Sequence, residues 1–299
     1  MKIVVTGGRG FIASHFVELC LEQGHEVVDI DWMTYAANKT LPWDSHPNYT
    51  LVVDDIASIK HLPECDVVYN FAAESHVDNS ITSPQIFLHS NVNGVFNLLD
   101  LIRGKPSYQR PLFFHISTDE VYGDILSGSF TEQNVLSPSN PYSASKASAE
   151  MLVHAYNRTY GIEYLISRCS NNYGERQYKE KLIPKIISCI TNGKKIPVHG
   201  DGSYVRNWIY AKDHAEAISF MTENCARNRV YNISTNKDMT NMEAIAEVLG
   251  WMNIKGDPAE FCDFVENRWG QDLRYSISSK RLRNIGWRPK HDTDFYKWF

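Results

Sequence analysis

The sequence predicts an α/β protein, a parallel sheet wound with helices on both faces and followed by a smaller C-terminal lobe. Three observations carry this. Short apolar runs of strand length alternate with longer amphipathic segments from Met1 to about residue 172. The first run leads into a glycine turn, Gly7-Gly8-Arg9-Gly10-Phe11-Ile12-Ala13. The second run ends on an acid, Asp31, 21 residues after Gly10.

Met1–Thr6 reads as a strand, the glycine turn follows, and a helix runs to about Gln23, closed by Gly24. Glu26–Ile30 is the next strand. In this frame the glycines form a dinucleotide fingerprint. Two spacings fit it: Gly8-x-Gly10-x-x-Ala13 and Gly7-x-x-Gly10-x-x-Ala13. Either lets backbone approach a pyrophosphate at a helix N-terminus. A carboxylate at Asp31 accepts from a ribose 2′-OH and repels a 2′-phosphate, so the cofactor expected is NAD on a Rossmann-type doubly wound parallel sheet.

Tyr49–Val53 and Asp66–Phe71 continue the strands, the first followed by Asp54-Asp55-Ile56 and the second by Ala72 and Ala73, which leave room for a cofactor. Pro84 to about Arg103 reads as one long helix with Phe87, Val92, Val95, Leu98 and Leu99 on its apolar side. Pro111–Ile116 is a buried strand that delivers Ser117-Thr118-Asp119-Glu120-Val121-Tyr122-Gly123 to a sheet edge. In open α/β sheets ligands bind at such carboxyl ends. After a polar loop, a helix opens at Pro141 and sets Tyr142 and Lys146 one turn apart on one face. Glu163–Ser167 is the last strand of this series.

Beyond about Asn172 the pattern loosens. Helices are expected over Leu182–Thr191, Asp213–Glu223 and Met242–Leu249, strand and loop over Ile196–Tyr210, and loop over Phe261–Tyr275. Val230–Ile233 reads as a strand that rejoins the main sheet. The domains expected are therefore 1–172 for the cofactor and 173–299, mostly, for the substrate.

At 299 residues, with 43% hydrophobic and 22% charged residues, the chain has the composition of a soluble globular protein. A net charge of −5 points away from nucleic acid and membrane surfaces, so an anionic ligand needs local Arg and Lys. The first apolar run, Ile3-Val4-Val5, is too short for a signal peptide, and no segment is long enough to span a bilayer. Six scattered cysteines with no CxxC pair fit reduced thiols and a cytoplasmic setting. His and Cys show no metal-ligand spacing, and no metal is expected.

The glycine turn, Tyr142-x-x-x-Lys146 and Thr118, 24 residues before Tyr142, resemble an extended short-chain dehydrogenase/reductase over nearly the whole chain. Within that superfamily the chain is most similar to nucleoside-diphosphate-glucose 4,6-dehydratases. The closer likeness rests on Asp31–Asn38, Ala72–Asp78, Ser117–Gly123, Arg168–Gly174, Glu180–Pro184 and Val205–His214. The resemblance implies a homodimer through the helices near Pro84–Arg103 and Tyr142–Tyr160. It also implies that Phe11, Ile12, Thr34, Asp55, Ile56, Ser90 and Asn172 border the cofactor with Gly7, Gly10, Asp31, Ala72 and Ala73.

Loss of water from C5 and C6 of a hexose is hard because the C5 proton is not acidic; oxidation at C4 places it beside a ketone. The reaction needs a base for the C4 hydroxyl, a base for C5 and an acid for the C6 oxygen. Tyr142 is the expected C4 base, its phenolate favoured by the Lys146 ammonium. The resemblance assigns Thr118 to position the C4 oxygen, Glu120 to be the C5 base and Asp119 the C6 acid. That adjacent pair of carboxyls distinguishes the dehydratases from 4-epimerases of the same fold.

For the nucleotide-sugar the resemblance implies Ser75, Asn171, Lys181 and Leu182 at the sugar or diphosphate. It puts Arg206 and Arg268 on the diphosphate as guanidinium clamps. Pro197, Val198 and His199 flank the base, with Asn241 nearby and Gln271 in the loop after Arg268. The chain departs from the family pattern at Asn79 (usually Arg), Asn207 (Asp), Trp269 (Pro) and Gln271 (His). The largest departure is Glu175-Arg176-Gln177-Tyr178-Lys179, where the family reads close to Pro-Tyr-Gln-Phe-Pro. The chemistry expected is 4,6-dehydration of a dTDP- or UDP-linked glucose, or of a 2-acetamido hexose. The alternatives are a 4-epimerase and, from another class, a non-catalytic NAD-binding regulator.

Overall fold

A computed structural model of the chain describes residues 1–235, 237–267 and 269–291. Strand β1 (Lys2–Thr6) leads through the glycine turn into α1 (Phe11–Glu22), then β2 (Glu26–Asp31), β3 (Tyr49–Val53) and β4 (Val67–Asn70). Helices α2 (Val77–Thr82) and α3 (Pro84–Phe87), a π turn (Leu88–Asn93) and α4 (Gly94–Arg103) follow, before β5 (Leu112–Thr118). Then come α5 (Pro141–Tyr160), β6 (Tyr164–Cys169), β7 (Asn171–Tyr173), α6 (Leu182–Thr191), β8 (Ile196–His199) and β9 (Val205–Tyr210). The remainder is α7 (Ala211–Asn224), β10 (Arg229–Ile233), β11 (Asp238–Thr240), α8 (Asn241–Trp251), β12 (Cys262–Val265) and α9 (Lys280–Ile285).

Seven parallel strands form one sheet in the order β10-β6-β5-β4-β1-β2-β3. The period-2 alternation of strands sorts its side chains into two cores. Ile3, Val5, Tyr69, Phe114 and Leu165 face the core shared with α1 and α7. Val4, Val68, Phe113 and Ile166 face the core shared with α4 and α5. Chain order reverses between β1 and β4, and the crevice at their carboxyl ends is where such sheets bind ligands.

The fold is the one expected, including the late strand, which pairs in parallel with β6 from Arg229–Leu165 to Ile233–Cys169. Two elements differ. The segment from Pro84 to Arg103 is not one regular helix: the π turn rotates its face, so Ser90 and Asn91 are buried while Val92 is only half-buried. Asn91 accepts from the Glu74 backbone N–H at 2.8 Å and donates to the Ser145 hydroxyl at 2.8 Å, an anchoring a regular helix would aim elsewhere. Within the stretch read as loop, Cys262–Val265 is a strand paired with β8.

A third core gathers α6, α8 and strands β7, β8 and β9 around Tyr173, Ile186, Trp208, Ile245 and Val248. It is built on a three-stranded sheet, β11-β9-β7, and the pair β12-β8. Helix α7 and strand β10 return the chain to the first core, where Ile218, Met221, Ile233, Leu282 and Trp287 are buried.

Candidate active site

The glycine turn resolves which spacing serves the crevice. Gly7 has φ +72°, and a Cβ there would lie 2.8 Å from the Ala72 Cα, so only glycine lets these backbones touch. A Cβ on Gly8 would instead meet the Asp29 carboxylate at 2.4 Å, on the side away from the crevice. Gly7, Gly10 and Ala13 line the cleft and Gly8 does not. Helix α1 begins at Gly10 with no side-chain cap and no acid in its first turn, which leaves its first N–H groups to a ligand.

Asp31 is fixed at the end of β2, its two oxygens accepting from the backbone N–H groups of Arg9 (2.9 Å) and Met33 (2.7 Å). Arg9 is buried, paired with Asp44 at 2.7 Å and lying over the Tyr49 ring. Asp54 and Asp55 line the same end of the cleft, and Asp55 pairs with His89 at 2.6 Å. The carboxylates there oppose a 2′-phosphate.

Thr118 is the last residue of β5, and Asp119–Tyr122 forms a turn of 3₁₀ helix capped by the Thr118 hydroxyl, which accepts from the Glu120 N–H at 3.3 Å. The same hydroxyl donates to Asp119 Oδ1 at 3.4 Å and faces the Tyr142 phenol, which it makes easier to ionise. Asp119 is buried; its Oδ2 has no partner among the described residues. Burial first, and then the charge of Glu120, push its carboxyl up to about 8.

Helix α5 starts where it does because Pro141 occupies its first turn and Asn140 closes a capping box with Ser143. That cap sets Tyr142 and Lys146 facing the end of β5, both buried in the cleft. Lys146 donates to the Ile116 carbonyl at 2.7 Å, and burial pulls its ammonium down to about 8, opposed by Glu150. Burial, and then Glu120, drive the Tyr142 phenol well above its ordinary range.

Behind these groups Glu150 accepts from the Ser117 hydroxyl (2.5 Å) and from Arg168, which also donates to the Tyr122 hydroxyl at 2.7 Å. On the other side Tyr275 donates to Asp272 at 2.6 Å and lies 3.5 Å from Glu120.

Residues 175–181 form a strap across the cleft. The Glu175 carbonyl accepts from His15 at 2.9 Å, and its carboxylate accepts from the Tyr210 hydroxyl at 2.7 Å. Arg176 pairs with Glu18 at 2.9 Å and stacks 4.8 Å over Trp43, both on the first core's side. Tyr178 meets Tyr35 edge to face, and Lys181 donates to the Ser75 carbonyl at 2.9 Å.

One cavity of about 360 Å³ brings together most residues singled out from sequence. On the cofactor side these are Gly7, Gly10, Phe11, Ile12, Asp31, Thr34, Asp55, Ile56, Ala72, Ala73, Ser90 and Asn172. Around them lie Ser75, Thr118, Asp119, Glu120, Tyr142, Lys146, Asn171, Lys181 and Leu182. Other positions lie outside that cavity. Val198 is in the third core, and its neighbours in β8 are Pro197 and His199, the latter donating to the Glu266 carbonyl at 2.9 Å. Arg206 is buried, donates to the Asp272 carbonyl at 3.0 Å and stacks 4.1 Å over Tyr275. Asn241 opens α8, Gln271 donates to the Asp272 carbonyl, and Arg268 lies outside the described residues.

The cleft also contains Gln177 and Tyr178, from the loop that departs from the family pattern, and Trp32, Tyr35 and Cys169, to which the sequence reading gave no role. Trp32 directly follows Asp31, a position that sequence alone ties to the cofactor. Cys169 and Tyr35 arrive through β6 pairing and strap contacts, for which no local signal exists.

Fold and site together define an extended short-chain dehydrogenase/reductase. The sequence model of the GDP-mannose 4,6 dehydratase family matches residues 4–295, and the chain belongs to that family. It is 40% identical to the dTDP-glucose 4,6-dehydratase of Mycobacterium tuberculosis, covering 99% of this chain and 90% of that one. It is 41% identical to a low-salt glycan biosynthesis protein of Haloferax volcanii, covering 97% and 94%. The solved dTDP-glucose 4,6-dehydratase DesIV of Streptomyces venezuelae, with NAD bound, superposes with a TM-score of 0.92 at 37% identity, covering 98% and 93%. A UDP-glucuronic acid 4-epimerase of Bacillus cereus with NAD reaches 0.90 at 25% identity, covering 98% and 95%, so the fold alone does not separate elimination from epimerisation.

Proposed function

We propose that this protein is an NAD-dependent nucleotide-sugar 4,6-dehydratase acting on a dTDP- or UDP-linked glucose. The observation that carries the reading is the adjacent carboxyl pair of buried Asp119 and half-buried Glu120 in one cleft with Thr118, Tyr142 and Lys146. An epimerase needs no such acid and second base. The relatives named dTDP-glucose 4,6-dehydratase favour dTDP-glucose as the first substrate to try, ahead of UDP-glucose and the 2-acetamido sugar.

NAD fits the chain's own residues. The Gly7–Ala72 contact leaves a floor without side chains, the uncapped α1 terminus faces the pyrophosphate, and Asp31 accepts from a ribose hydroxyl. Bound there, NAD would supply the hydride acceptor for oxidation at C4 and the hydride donor for reduction at C6. Tyr142 takes the C4 hydroxyl proton, with Lys146 holding the ribose and favouring the phenolate. Glu120 removes the C5 proton and later restores it. Asp119 protonates the departing C6 oxygen, a task suited to a carboxyl that stays protonated at neutral pH. The nucleotide half lies against the second lobe, residues 173 onward, near Pro197–His199, Asn241 and Gln271. For Arg206 to clamp the diphosphate it must use the donors not spent on the Val205 and Asp272 carbonyls.

A homodimer and a cytoplasmic setting belong to the same reading. The half-exposed Leu88, Phe96, Met151 and Tyr160 on the π turn, α4 and α5 support a second copy at that face. Light scattering at micromolar concentration tests the dimer. Mass spectrometry of products from dTDP-glucose, UDP-glucose, UDP-N-acetylglucosamine and GDP-mannose tests the reaction. A 4-keto-6-deoxy sugar is expected; a galactose product with no keto sugar would replace this reading by the epimerase.

A further inference from the structure

Proton accounting in the dehydratase reading leaves one transfer unassigned. Tyr142 gains a proton from the C4 hydroxyl, and C4 stays a ketone in the product, so that proton is never returned to it. Glu120 gains and gives back the C5 proton. Asp119 loses a proton to the C6 oxygen, which leaves as water. Each turnover therefore ends with Tyr142 protonated and Asp119 ionised, the reverse of the state in which it began. The cycle closes when one proton moves from the phenol to the carboxylate.

We infer that Thr118 is the relay for that proton, carrying it from Tyr142 to Asp119 within the protein. The inference rests on the dehydratase reading above. Its hydroxyl lies between the two groups: it faces the Tyr142 phenol, which it makes easier to ionise, and donates to Asp119 Oδ1 at 3.4 Å. A threonine oxygen accepts two hydrogen bonds and donates one. Here the Glu120 N–H fills one acceptor position at 3.3 Å, which leaves the other for the phenol and directs the hydroxyl hydrogen at Asp119. The hop is balanced. The phenol O–H bond breaks as a new O–H forms on Thr118, and the old Thr118 O–H breaks as an O–H forms on Asp119. No charge leaves the site and no co-reactant is needed.

The surroundings favour this route over solvent. Tyr142, Thr118, Asp119 and Lys146 are all buried. Lys146 directs a donor at the Ile116 carbonyl, 2.7 Å away, rather than toward Asp119. Asp119 Oδ2 has no partner among the described residues, so one oxygen takes up the returning proton's bond while the other is left for the substrate.

The test compares the wild-type holoenzyme with Thr118→Ser, Thr118→Val and Thr118→Ala on dTDP-glucose, or on whichever nucleotide sugar the product panel selects. Equal NAD content and thermal midpoint establish that the variants fold. Valine fills the hydroxyl's place with a methyl, whereas alanine leaves room for a water to substitute. The relay requires Thr118→Ser to stay within about tenfold of wild type and Thr118→Val to fall about 10²–10⁴-fold. Thr118→Ala should be at least about tenfold faster than Thr118→Val, and added imidazole, a small proton carrier, should accelerate both slow variants. A pH indicator in weak buffer should record a transient of up to one proton per site after the first turnover of a slow variant, and none for wild type. Valine and alanine variants equally slow, with no carrier response and no proton transient, would mean that Thr118 only positions the sugar and would overturn the relay alone. A wild-type protein that forms no 4-keto-6-deoxy sugar from any donor overturns the dehydratase reading and the relay with it.

Discussion

Arg168 and Glu150 meet beneath the cleft, Nη2 to Oε2 at 2.5 Å, with both side chains buried. The pair also holds Ser117, one residue before Thr118, and Tyr122 at the end of the turn that carries Asp119 and Glu120. Two elements distant in sequence, α5 and β6, thus fix the turn from below. A buried pair adds little net stability over apolar residues of the same shape, but breaking it leaves an unpaired charge. Glu150→Ala should cost about 3–5 kcal/mol in urea unfolding. Glu150→Gln combined with Arg168→Met should recover most of that loss in stability. A cost below about 1 kcal/mol for Glu150→Ala would show that the pair is solvated or replaceable.

Tyr142→Phe removes the phenol and keeps the ring packed against Phe87, 6.3 Å between centroids. The variant should retain NAD and bind nucleotide sugar with little change, while turnover falls about 10²–10⁴-fold. Calorimetric titration and product assays check the two halves separately. Loss of binding together with turnover would assign Tyr142 to packing.

The pH profile follows from two buried groups. Asp119 acts as an acid, and its carboxyl is pushed up to about 8; Lys146 acts as a cation, and its ammonium is pulled down to about 8. Both active forms carry a proton, so both are lost as pH rises through about 8, and the rate of elimination should fall on the alkaline side. The profile is read on the holoenzyme at saturating sugar. A rate still climbing above about pH 9 would exclude a protonated Asp119 as the C6 acid.

The sheet and the catalytic stretch were legible because their signals are local. Glycine spacing, a strand-terminal acid and a Tyr–Lys pair one turn apart each sit within one or two elements. The π turn was not legible, because its cause is tertiary. A Cβ at Gly94 would lie 2.5 Å from Ile56, and Asn91 is claimed by Glu74 and Ser145 across the cleft. Glu150 and Arg168 carried no signal for the same reason, being 18 residues apart and joined only by the packing of α5 on β6. The strap from Glu175 to Lys181 stood out as a departure from the family pattern. Its contacts to Glu18, Trp43 and Tyr35 depend on residues more than a hundred positions away.

That strap should govern how long NAD stays. Arg176 joins α1 through Glu18 and covers Trp43, while Tyr178 closes on Tyr35 at the cleft's edge. The cation–π contact and the half-buried pair are each worth about 1 kcal/mol. Arg176→Ala should speed NAD release roughly tenfold, the kinetic equivalent of ~1.4 kcal/mol. Fluorescence of bound NADH during dilution measures it. An unchanged release rate would mean the strap does not gate the cofactor.

Asp29 gives a prediction about stability rather than turnover. Its carboxylate lies buried under the glycine turn, accepting from the Gly8 N–H at 2.8 Å and from the Tyr49 hydroxyl at 2.7 Å. Burial outweighs those bonds and raises its pKa to about 7 from the ordinary 3.8. The folded state therefore binds a proton more readily than the unfolded chain, and this residue's contribution to stability falls as pH rises from about 4 to about 7. The side-chain amide of an Asp29→Asn variant is uncharged at every pH; its carbonyl still accepts from Gly8 and its NH₂ donates to the Tyr49 oxygen. Asp29→Asn should thus raise the thermal midpoint at pH 8, with the advantage shrinking steadily as pH is lowered toward 4. An advantage of the same size at both ends of that range would mean that the carboxylate carries no burial cost in the fold, and that the Gly8 and Tyr49 bonds fully compensate its charge.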